Sequence, residues 1–430
     1  MPIRLDSQSH DFASRFAAFL ASKREDAADV EETVRAIIHD VATRGDGALL
    51  AYTRKFDRID TTAAGLRVTP AELDAAFAAC DREARDALVL ARDRIEAYHR
   101  RQLPRDERFT DALGVELGWR WTAIAAAGLY VPGGTAAYPS SVLMNAVPAK
   151  VAGVPRLVMV VPAPAGRLTP LVLAAARLAG VHEIYRIGGA QAVAALAHGT
   201  ATVAPVDKIV GPGNAWVAAA KRLVFGKVGI DMIAGPSEVL ILAGRGANPH
   251  WIAADLLAQA EHDTAAQPIL VTDDAALAGE VERAVEAQLA TLPRSATARA
   301  SWDDFGAVIL VRSLEEALPL VDALAPEHLE IVADDAEDLA ARVRNTGAIF
   351  LGAYAPEALG DYVAGSNHVL PTARSARFSS GLGVLDFMKR TSILRCGPDQ
   401  LAKLGPAAIA LGEAEGLTAH ARSIAIRMNR

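Results

Sequence analysis

The chain has 430 residues, of which 51% are apolar and 22% charged, and its formal net charge is −7. At about 150 residues per domain, this length predicts two or three folded domains, and the composition excludes a disordered or fibrous chain. The mild acidity, without a run of Lys or Arg, argues against nucleic acid or an anionic membrane as the main partner. Two cysteines, Cys80 and Cys396, are too few for a disulfide framework or a thiolate zinc site. Because we find neither a secretory signal nor an apolar run near the ~18 residues that span a bilayer, we expect a soluble cytoplasmic protein.

The N-terminal part of the chain is predicted to be mainly helical. Apolar residues recur at helical spacing over 29–56, with breaks predicted at Gly45 and Gly47. The same spacing continues over 70–101. Thr69 is predicted to cap this second helix, because a proline follows it at the first helical position.

Beyond about residue 121, short apolar strands alternate with helices. The segment 156–164 is predicted to be a buried strand, and a helix closed by Gly180 follows it. This alternation predicts βαβ units and parallel sheets. It begins again after 235–236, which predicts two similar α/β modules. A Gly-, Ser- and Pro-rich segment at 352–383 is predicted to be a long functional loop.

Two glycine-rich turns are candidates for nucleotide binding, although the chain contains neither GxGxxG nor GxxxxGK[ST]. The turns are 188–191 (GGAQ) and 211–214 (GPGN), and each stands between a predicted strand and a predicted helix. Backbone N–H groups at such turns can approach phosphate closely. Each turn alone is explained equally well as an ordinary connection, but two on one sheet edge favour a nucleotide crevice. Tyr130, in the glycine-rich segment 129–141, would supply an aromatic ring against a base.

A metal site is a second candidate. Gln259 and His262 are three residues apart on a predicted helix, so both side chains can reach one ion. This pair alone is explained more simply as a polar helix end. Further donors stand at Asp361, His368 and His420. A set of imidazole, carboxylate and amide ligands suits zinc or a neighbouring divalent ion.

The adjacent residues Glu327 and His328 are candidates for proton transfer. They precede a predicted strand at 330–334, at a position in an α/β module where active sites collect. A histidine can take a proton from an alcohol, and a carboxylate can orient a water molecule. A solvated pair at a helix end is the alternative, and composition alone favours it.

Taken together, the motifs resemble those of the histidinol dehydrogenase family. They are distributed from about residue 120 to the C-terminus, whereas the first 120 residues fit that family in length and pattern without a signature. The matching motifs are GLYVPGGTAAYPSSVLMNAVPAKVAGV, RIGGAQAVAALAHGT, VDKIVGPGNAWVAAAKR, IDMIAGPSEVLILA, DLLAQAEHD, APEHLEI, APEALGDYVAGSNHVLPTARSARFSSGLGVLDFMKR and EAEGLTAHARSIAIR.

The resemblance implies a zinc-containing, NAD-dependent homodimer that oxidises L-histidinol through L-histidinal to L-histidine with two NAD, the last steps of histidine biosynthesis. It also implies an α/β fold of two incomplete Rossmann-like parallel-sheet modules, with an N-terminal helical region and a helical C-terminal tail. The tail would complete the active site of the partner subunit. The expected regions are an N-terminal helical region at 1–120, a first module on the NAD side at 121–235, a second module with the metal and acid/base residues at 236–383, and the tail at 384–430.

The resemblance also assigns roles to individual residues. The implied zinc ligands are Gln259, His262, Asp361 and His420, and the implied acid/base pair is Glu327 and His328. The implied NAD contacts are Tyr130, Gln191 and Asn214. The implied substrate contacts are Ser237, His368 and Glu415, together with His328 and the four zinc ligands. Glu413 is a second glutamate in the same motif, and Glu415 is preferred because of its spacing to His420.

Three other functions remain open at this point. A dehydrogenase of the same family for another small alcohol, such as a sulfonated diol, would keep the zinc and the acid/base pair, but Glu415 and His368 argue against it. A non-enzymatic α/β binding protein would use the glycine-rich turns only structurally and would hold no stoichiometric zinc. A zinc hydrolase would use Glu327 and a metal-bound water, and would not need the three implied NAD contacts.

Overall fold

The structure, a computed structural model, describes residues 1–22, 28–133, 138–233 and 235–429. The strands in chain order are β1 (Ile3–Asp6), β2 (Glu107–Thr110), β3 (Glu116–Ala123), β4 (Ala126–Tyr130), β5 (Arg156–Val160), β6 (Glu183–Tyr185), β7 (Lys208–Val210), β8 (Gly229–Ile230), β9 (Glu238–Ala243), β10 (Gln267–Thr272), β11 (Ala307–Leu310), β12 (His328–Val332), β13 (Ala348–Leu351) and β14 (Met388–Arg395).

The helices in chain order are α1 (Phe12–Ala21), α2 (Ala28–Arg44), α3 (Asp46–Phe56), α4 (Pro70–Ala79), α5 (Arg82–Arg100), α6 (Pro139–Val151), α7 (Pro170–Leu178), α8 (Gly189–His198), α9 (Ala215–Val224), α10 (Pro249–Ala260), α11 (Ala275–Leu289), α12 (Ser295–Phe305), α13 (Leu314–Leu324), α14 (Ala336–Ala340), α15 (Glu357–Tyr362), α16 (Pro398–Ala414) and α17 (Thr418–Arg427). Within the described ranges, none of these helices is both long enough and apolar enough to cross a membrane.

The first module is a parallel sheet of five strands in the order β6-β5-β4-β7-β8. Numbered along the chain, this is the order 3-2-1-4-5 found in dinucleotide-binding sheets. The chain leaves β4 toward one edge of the sheet and returns at β7 toward the other. A crevice therefore opens between the carboxyl ends of β4 and β7, which is where such sheets bind ligands.

The second module is a parallel sheet of six strands in the order β1-β11-β10-β9-β12-β13. Without β1 its strands repeat the order 3-2-1-4-5, so the prediction of two similar Rossmann-like modules is confirmed. Strand β9 is buried on both faces. Its alternate side chains pack into two apolar cores, with Leu240 and Leu242 in one and Val239 and Ile241 in the other.

The N-terminal region is mainly helical, as predicted, but it also contributes β1 to the edge of the six-stranded sheet, with Ile3 opposite Ala307. Gly45 separates α2 from α3 as predicted, whereas Gly47 lies inside α3 and does not break it. Thr69 caps α4 in a capping box, which confirms that prediction.

The single helix predicted over 70–101 is in fact two helices. α4 ends at Ala79, and the side chain of Asp81 accepts the N–H of Ala84 to start α5. This cap supplies a hydrogen-bond acceptor to the first turn of a new helix. The apolar spacing continues across this boundary and therefore did not indicate it.

The C-terminal part of the chain contains more regular secondary structure than was predicted. The segment predicted as a long loop, 352–383, contains the helix α15. The tail contains a strand as well as helices, since β14 pairs with β3 antiparallel along its whole length. With β2 these two strands form a separate three-stranded sheet. After this sheet, α16 and α17 pack against each other, with Gly412 close to Ala421.

Candidate active site

One cavity of about 840 Å³ lies between the two parallel sheets. Its walls are formed by opposite ends of the strands in the two sheets: the carboxyl ends in the five-stranded sheet and the amino ends in the six-stranded sheet. Nine of the twelve predicted site residues line it, namely Tyr130, Gln191, Asn214, Ser237, His262, Glu327, His328, Asp361 and His368. The fold therefore gathers residues that are separated by up to about 240 positions in the sequence.

On the side of the five-stranded sheet, Tyr130 is the last residue of β4 and is almost fully buried. Its hydroxyl accepts the backbone N–H of Gly189 at 3.0 Å and so holds the start of α8 against β4. Burial raises the pKa of Tyr130 to about 12. Gln191, in the first turn of α8, is buried beside this contact. The remainder of the glycine-rich loop, 134–137, lies outside the described residues.

The second glycine-rich turn, 211–214, follows β7. Gly211 has a φ of +113°, and a Cβ added there would lie 2.1 Å from the carbonyl oxygen of Tyr130. Only glycine fits between these two strand ends. Asn214 ends the turn, and its Oδ1 accepts the N–H of Val217 at 3.2 Å, which caps α9.

On the side of the six-stranded sheet, His328 is the first residue of β12 and is buried. Its Nδ1 lies 2.9 Å from the carbonyl oxygen of Glu238, so Nδ1 must donate a hydrogen there. The neutral ring then carries its lone pair on Nε2, which is buried without a hydrogen-bond partner among the described residues. Burial lowers the pKa of His328, although the charge of Asp361 opposes this, and the ring is therefore neutral at pH 7.

Glu327 precedes His328 and is held by an exchange of hydrogen bonds between β9 and β12. The N–H of Glu238 donates to Oε2 of Glu327 at 3.0 Å, and the N–H of Glu327 donates to Oε2 of Glu238 at 3.3 Å. Burial, and then the nearby charges of Glu238 and Asp361, raise the pKa of Glu327 well above its usual range. When ionised, such a carboxylate is a stronger base than an ordinary glutamate.

His368 and Asp361 lie beside His328 in the lining of the cavity. Nε2 of His328 and Nδ1 of His368 each lie 3.9 Å from Oδ1 of Asp361. Nδ1 of His368 also lies 3.0 Å from the carbonyl oxygen of Asp361, and its Nε2 lies 3.3 Å from the hydroxyl of Ser141. Burial lowers the pKa of His368 as well, and burial therefore favours the neutral form of both imidazoles.

The predicted metal ligands are only partly assembled. Gln259 is in the last turn of α10 and fully buried, and both polar atoms of its side chain are without a partner among the described residues. His262 follows the end of this helix, where its N–H donates to the carbonyl of Gln259. Within the described residues, no group of three His, Cys, Asp or Glu side chains is close enough to hold an ion. The orphaned amide of Gln259, together with His262 and Asp361 on the cavity wall, fits a metal that needs a further ligand.

Glu415 and His420 do not line the cavity. Glu415 caps the end of α16, His420 lies on α17, and both are exposed. Within one chain, these two predicted residues therefore lie apart from the nine that line the cavity.

A cluster of buried carboxyl groups behind His328 was not anticipated from the sequence. Oε2 of Glu357 lies 3.4 Å from Nδ1 of His328, and Oε1 of Glu330 accepts the N–H of Glu357 at 2.7 Å. Burial, and then the charge of Asp255, raise the pKa of Glu330 to about 8, and burial also raises that of Glu357. Glu357 is four residues before Asp361, a helical spacing that was missed because this segment was predicted to be a loop.

The fold and the cavity together define a class of protein. A crevice of the dinucleotide-binding kind opens onto a neutral buried histidine and a carboxyl group of raised pKa, which is the arrangement that an α/β dehydrogenase requires.

Comparison with known proteins specifies the class. The family model for histidinol dehydrogenase matches residues 20–428. Histidinol dehydrogenases of Bradyrhizobium diazoefficiens and Rhodopseudomonas palustris are 75% and 73% identical to this chain, with 100% of each chain covered. The crystal structure of histidinol dehydrogenase from Elizabethkingia anophelis is 34% identical, has a TM-score of 0.94, and covers 99% of this chain and 98% of that chain. The chain belongs to the histidinol dehydrogenase family of NAD-dependent oxidoreductases.

Proposed function

We propose that the protein oxidises L-histidinol through L-histidinal to L-histidine, using two NAD⁺ and a zinc ion. In balanced form, the primary alcohol, two NAD⁺ and one water give the carboxylate, two NADH and three protons. NAD⁺ would supply the oxidant in both steps. The observation that carries the proposal is the single cavity in which the crevice of one sheet faces His328 and Glu327 of the other.

His328 would act in the oxidation of the alcohol. Its Nδ1 hydrogen is fixed on the carbonyl oxygen of Glu238, so the unpaired Nε2 is the atom that accepts the hydroxyl proton. Glu327 would act in the oxidation of the aldehyde. Its raised pKa makes the ionised carboxylate a stronger base, which takes a proton from water as water adds to the carbonyl carbon.

The cofactor would bind across the turns 188–191 and 211–214, in contact with Tyr130, Gln191 and Asn214. Support comes from the position of these turns, because glycine residues of both turns line the cavity at the carboxyl ends of the five-stranded sheet.

Zinc would be held by Gln259, His262, Asp361 and His420, and when bound would act as a template for the nitrogen atoms of the substrate. The orphaned amide of Gln259 supports this proposal. Ser237, His368 and Glu415 would then contact the substrate around it.

The stoichiometry of NADH tests the function. With limiting L-histidinol and excess NAD⁺, we expect two NADH per histidinol, and stoichiometric zinc in the purified protein. One NADH per alcohol, or equal turnover of a sulfonated diol, would contradict the proposal, and zinc without NADH formation would favour a hydrolase.

We further propose that the protein is a homodimer in which the tail completes the active site of the partner subunit. Within one chain, Glu415 and His420 are exposed and away from the cavity. The tail also exposes apolar side chains, with Leu394 at 70% and Leu411 at 65%. Exposed apolar side chains on a tail that carries two predicted site residues are expected where another subunit covers them.

Mixed dimers test the shared site. His262→Asn and His420→Asn chains, each inactive alone, are unfolded and refolded together. If the tail crosses, each mixed dimer has one intact site, and because about half of the dimers are mixed, about a quarter of the wild-type activity should return. Mixed dimers without activity would contradict the proposal.

A further inference from the structure

A buried ion pair lies directly behind the turn 211–214. Lys221, on α9, pairs with Asp231, the residue after β8, and their side chains are only 2% and 1% exposed. Both also hold the backbone of Gly211. Nζ of Lys221 donates to the carbonyl oxygen of Gly211 at 2.9 Å, and Oδ2 of Asp231 accepts the N–H of Gly211 at 2.7 Å.

This arrangement is not explained by stability alone. Removing two charges from water costs about as much as their attraction returns, and well-packed apolar side chains often serve equally well at such positions. The pair instead fixes both polar backbone groups of one residue. That residue is Gly211, whose φ of +113° and contact with Tyr130 leave no room for a side chain.

The other glycine-rich turn is held in a different way. The N–H of Gly189 is fixed by the hydroxyl of Tyr130, and Tyr130 is the residue whose carbonyl oxygen faces Gly211. The two turns therefore meet at Tyr130, one held by a neutral phenol and the other by a buried ion pair. Lys221 and Asp231 both belong to the wall of the cavity at this point.

We propose that Lys221 and Asp231 are positioning residues for the dinucleotide, which act through Gly211. They hold the turn 211–214 in its binding conformation before the cofactor arrives, so that binding does not have to order it. This inference rests on the proposed NAD-dependent function and adds to it two residues that touch neither the metal ligands nor the acid/base pair.

Double variants test the proposal without leaving a buried charge unpaired. Lys221→Met/Asp231→Leu removes both charges and both hydrogen bonds to Gly211. Lys221→Met/Asp231→Asn removes both charges but keeps an acceptor for the N–H of Gly211. A matched control is Arg156→Met/Glu183→Leu, an ion pair of the same sheet that is outside the cavity wall.

The readout is the dissociation constant of NADH, measured by fluorescence titration of the zinc-loaded protein. We expect it to rise about tenfold in the first double variant, as for two ordinary hydrogen bonds, and about threefold in the second. The control should keep the wild-type constant, and the zinc content and the KM for histidinol should not change in any variant. Rescue by the asparagine variant separates positioning from a general loss of stability, which would affect all three.

Wild-type affinity for NADH in a folded Lys221→Met/Asp231→Leu protein would overturn the inference. An equal loss of affinity in the Arg156/Glu183 control would also overturn it. If Lys221→Met/Asp231→Leu does not fold, the asparagine variant decides, and wild-type affinity there contradicts the inference. Wild-type protein that binds no NADH would instead refute the proposed function itself.

Discussion

The two parallel sheets share the strand order 3-2-1-4-5, but opposite ends of their strands line the cavity. In the five-stranded sheet the cavity is at the carboxyl ends, beside Tyr130 and Gly211, which is the usual position for a ligand in this topology. In the six-stranded sheet it is at the amino ends, beside Ser237 and His328. Topology therefore predicts the location of the first wall but not that of the second.

The chemistry of the two walls differs accordingly. The carboxyl-end wall contains the two glycine turns, and the buried ion pair of Lys221 and Asp231 behind one of them is internally neutralised. The amino-end wall contains buried titratable groups, and the pKa values of Glu327, His328 and His368 are all displaced by burial. Backbone turns suit recognition of a cofactor, whereas groups of displaced pKa suit proton transfer.

The strongest test of this division is substitution of the proposed zinc ligands on the amino-end wall. His262→Asn and Asp361→Ala should lose bound zinc and at least about 1,000-fold in kcat, because the substrate loses its template. Zinc content and turnover are measured together. His250→Asn is the control, since His250 lies exposed at the other end of α10. Full zinc retention in both test variants would contradict the proposal that a metal binds at this wall.

Variants of the two residues proposed for proton transfer should separate the two oxidations. His328→Asn should slow oxidation of the alcohol by about 100- to 1,000-fold, because it removes the unpaired Nε2. Glu327→Gln should slow oxidation of the aldehyde more than that of the alcohol, since an amide cannot take a proton from water. Supplying histidinal directly isolates the second step. Equal impairment of both variants with both substrates would contradict this division of roles.

A smaller effect is expected on the carboxyl-end wall. Tyr130→Phe removes the acceptor for the N–H of Gly189 and should raise the KM for NAD⁺ by about two- to tenfold, with the KM for histidinol unchanged. Tyr185→Phe is the matched control, because its hydroxyl bonds Glu183 and the carbonyl of Thr202, outside the cavity wall. A change in the KM for histidinol alone would contradict the proposal that the carboxyl-end wall binds the cofactor.

The last test measures stability and not activity, and it concerns the carboxyl cluster behind His328. Because the pKa of Glu330 is raised to about 8 from 4.5, the folded state keeps a proton that the unfolded state releases between these values. Stability should therefore fall as pH rises through this window, by at most about 1.4 kcal/mol per pH unit.

Glu330→Gln should flatten this dependence, since glutamine still accepts the N–H of Glu357 but does not titrate. Melting temperatures measured across the window check it, with the exposed Glu337→Gln as control. A slope equal to that of the wild type would show that Glu330 titrates normally.

Much of the site could be predicted because its residues stand in local motifs. The turns 188–191 and 211–214 follow strands that periodicity identifies, and Glu327 and His328 precede one. The resemblance to a family then supplied the roles. Glu357 and Glu330 could not be predicted in the same way, because a glutamate in a sequence shows no sign of burial. Lys221 and Asp231 were missed because their pairing depends on how α9 packs behind β7.

Local sequence was enough to predict the alternation of strands and helices, the helix cap at Thr69 and the glycine turns, because these depend on neighbours within a few residues. The three-dimensional structure was needed to show that β1 joins the second sheet, that the amino ends of that sheet face the carboxyl ends of the first, and that burial lowers the pKa of His328. Strand pairing and burial involve groups far apart in the chain, and a displaced pKa arises from the water those groups exclude.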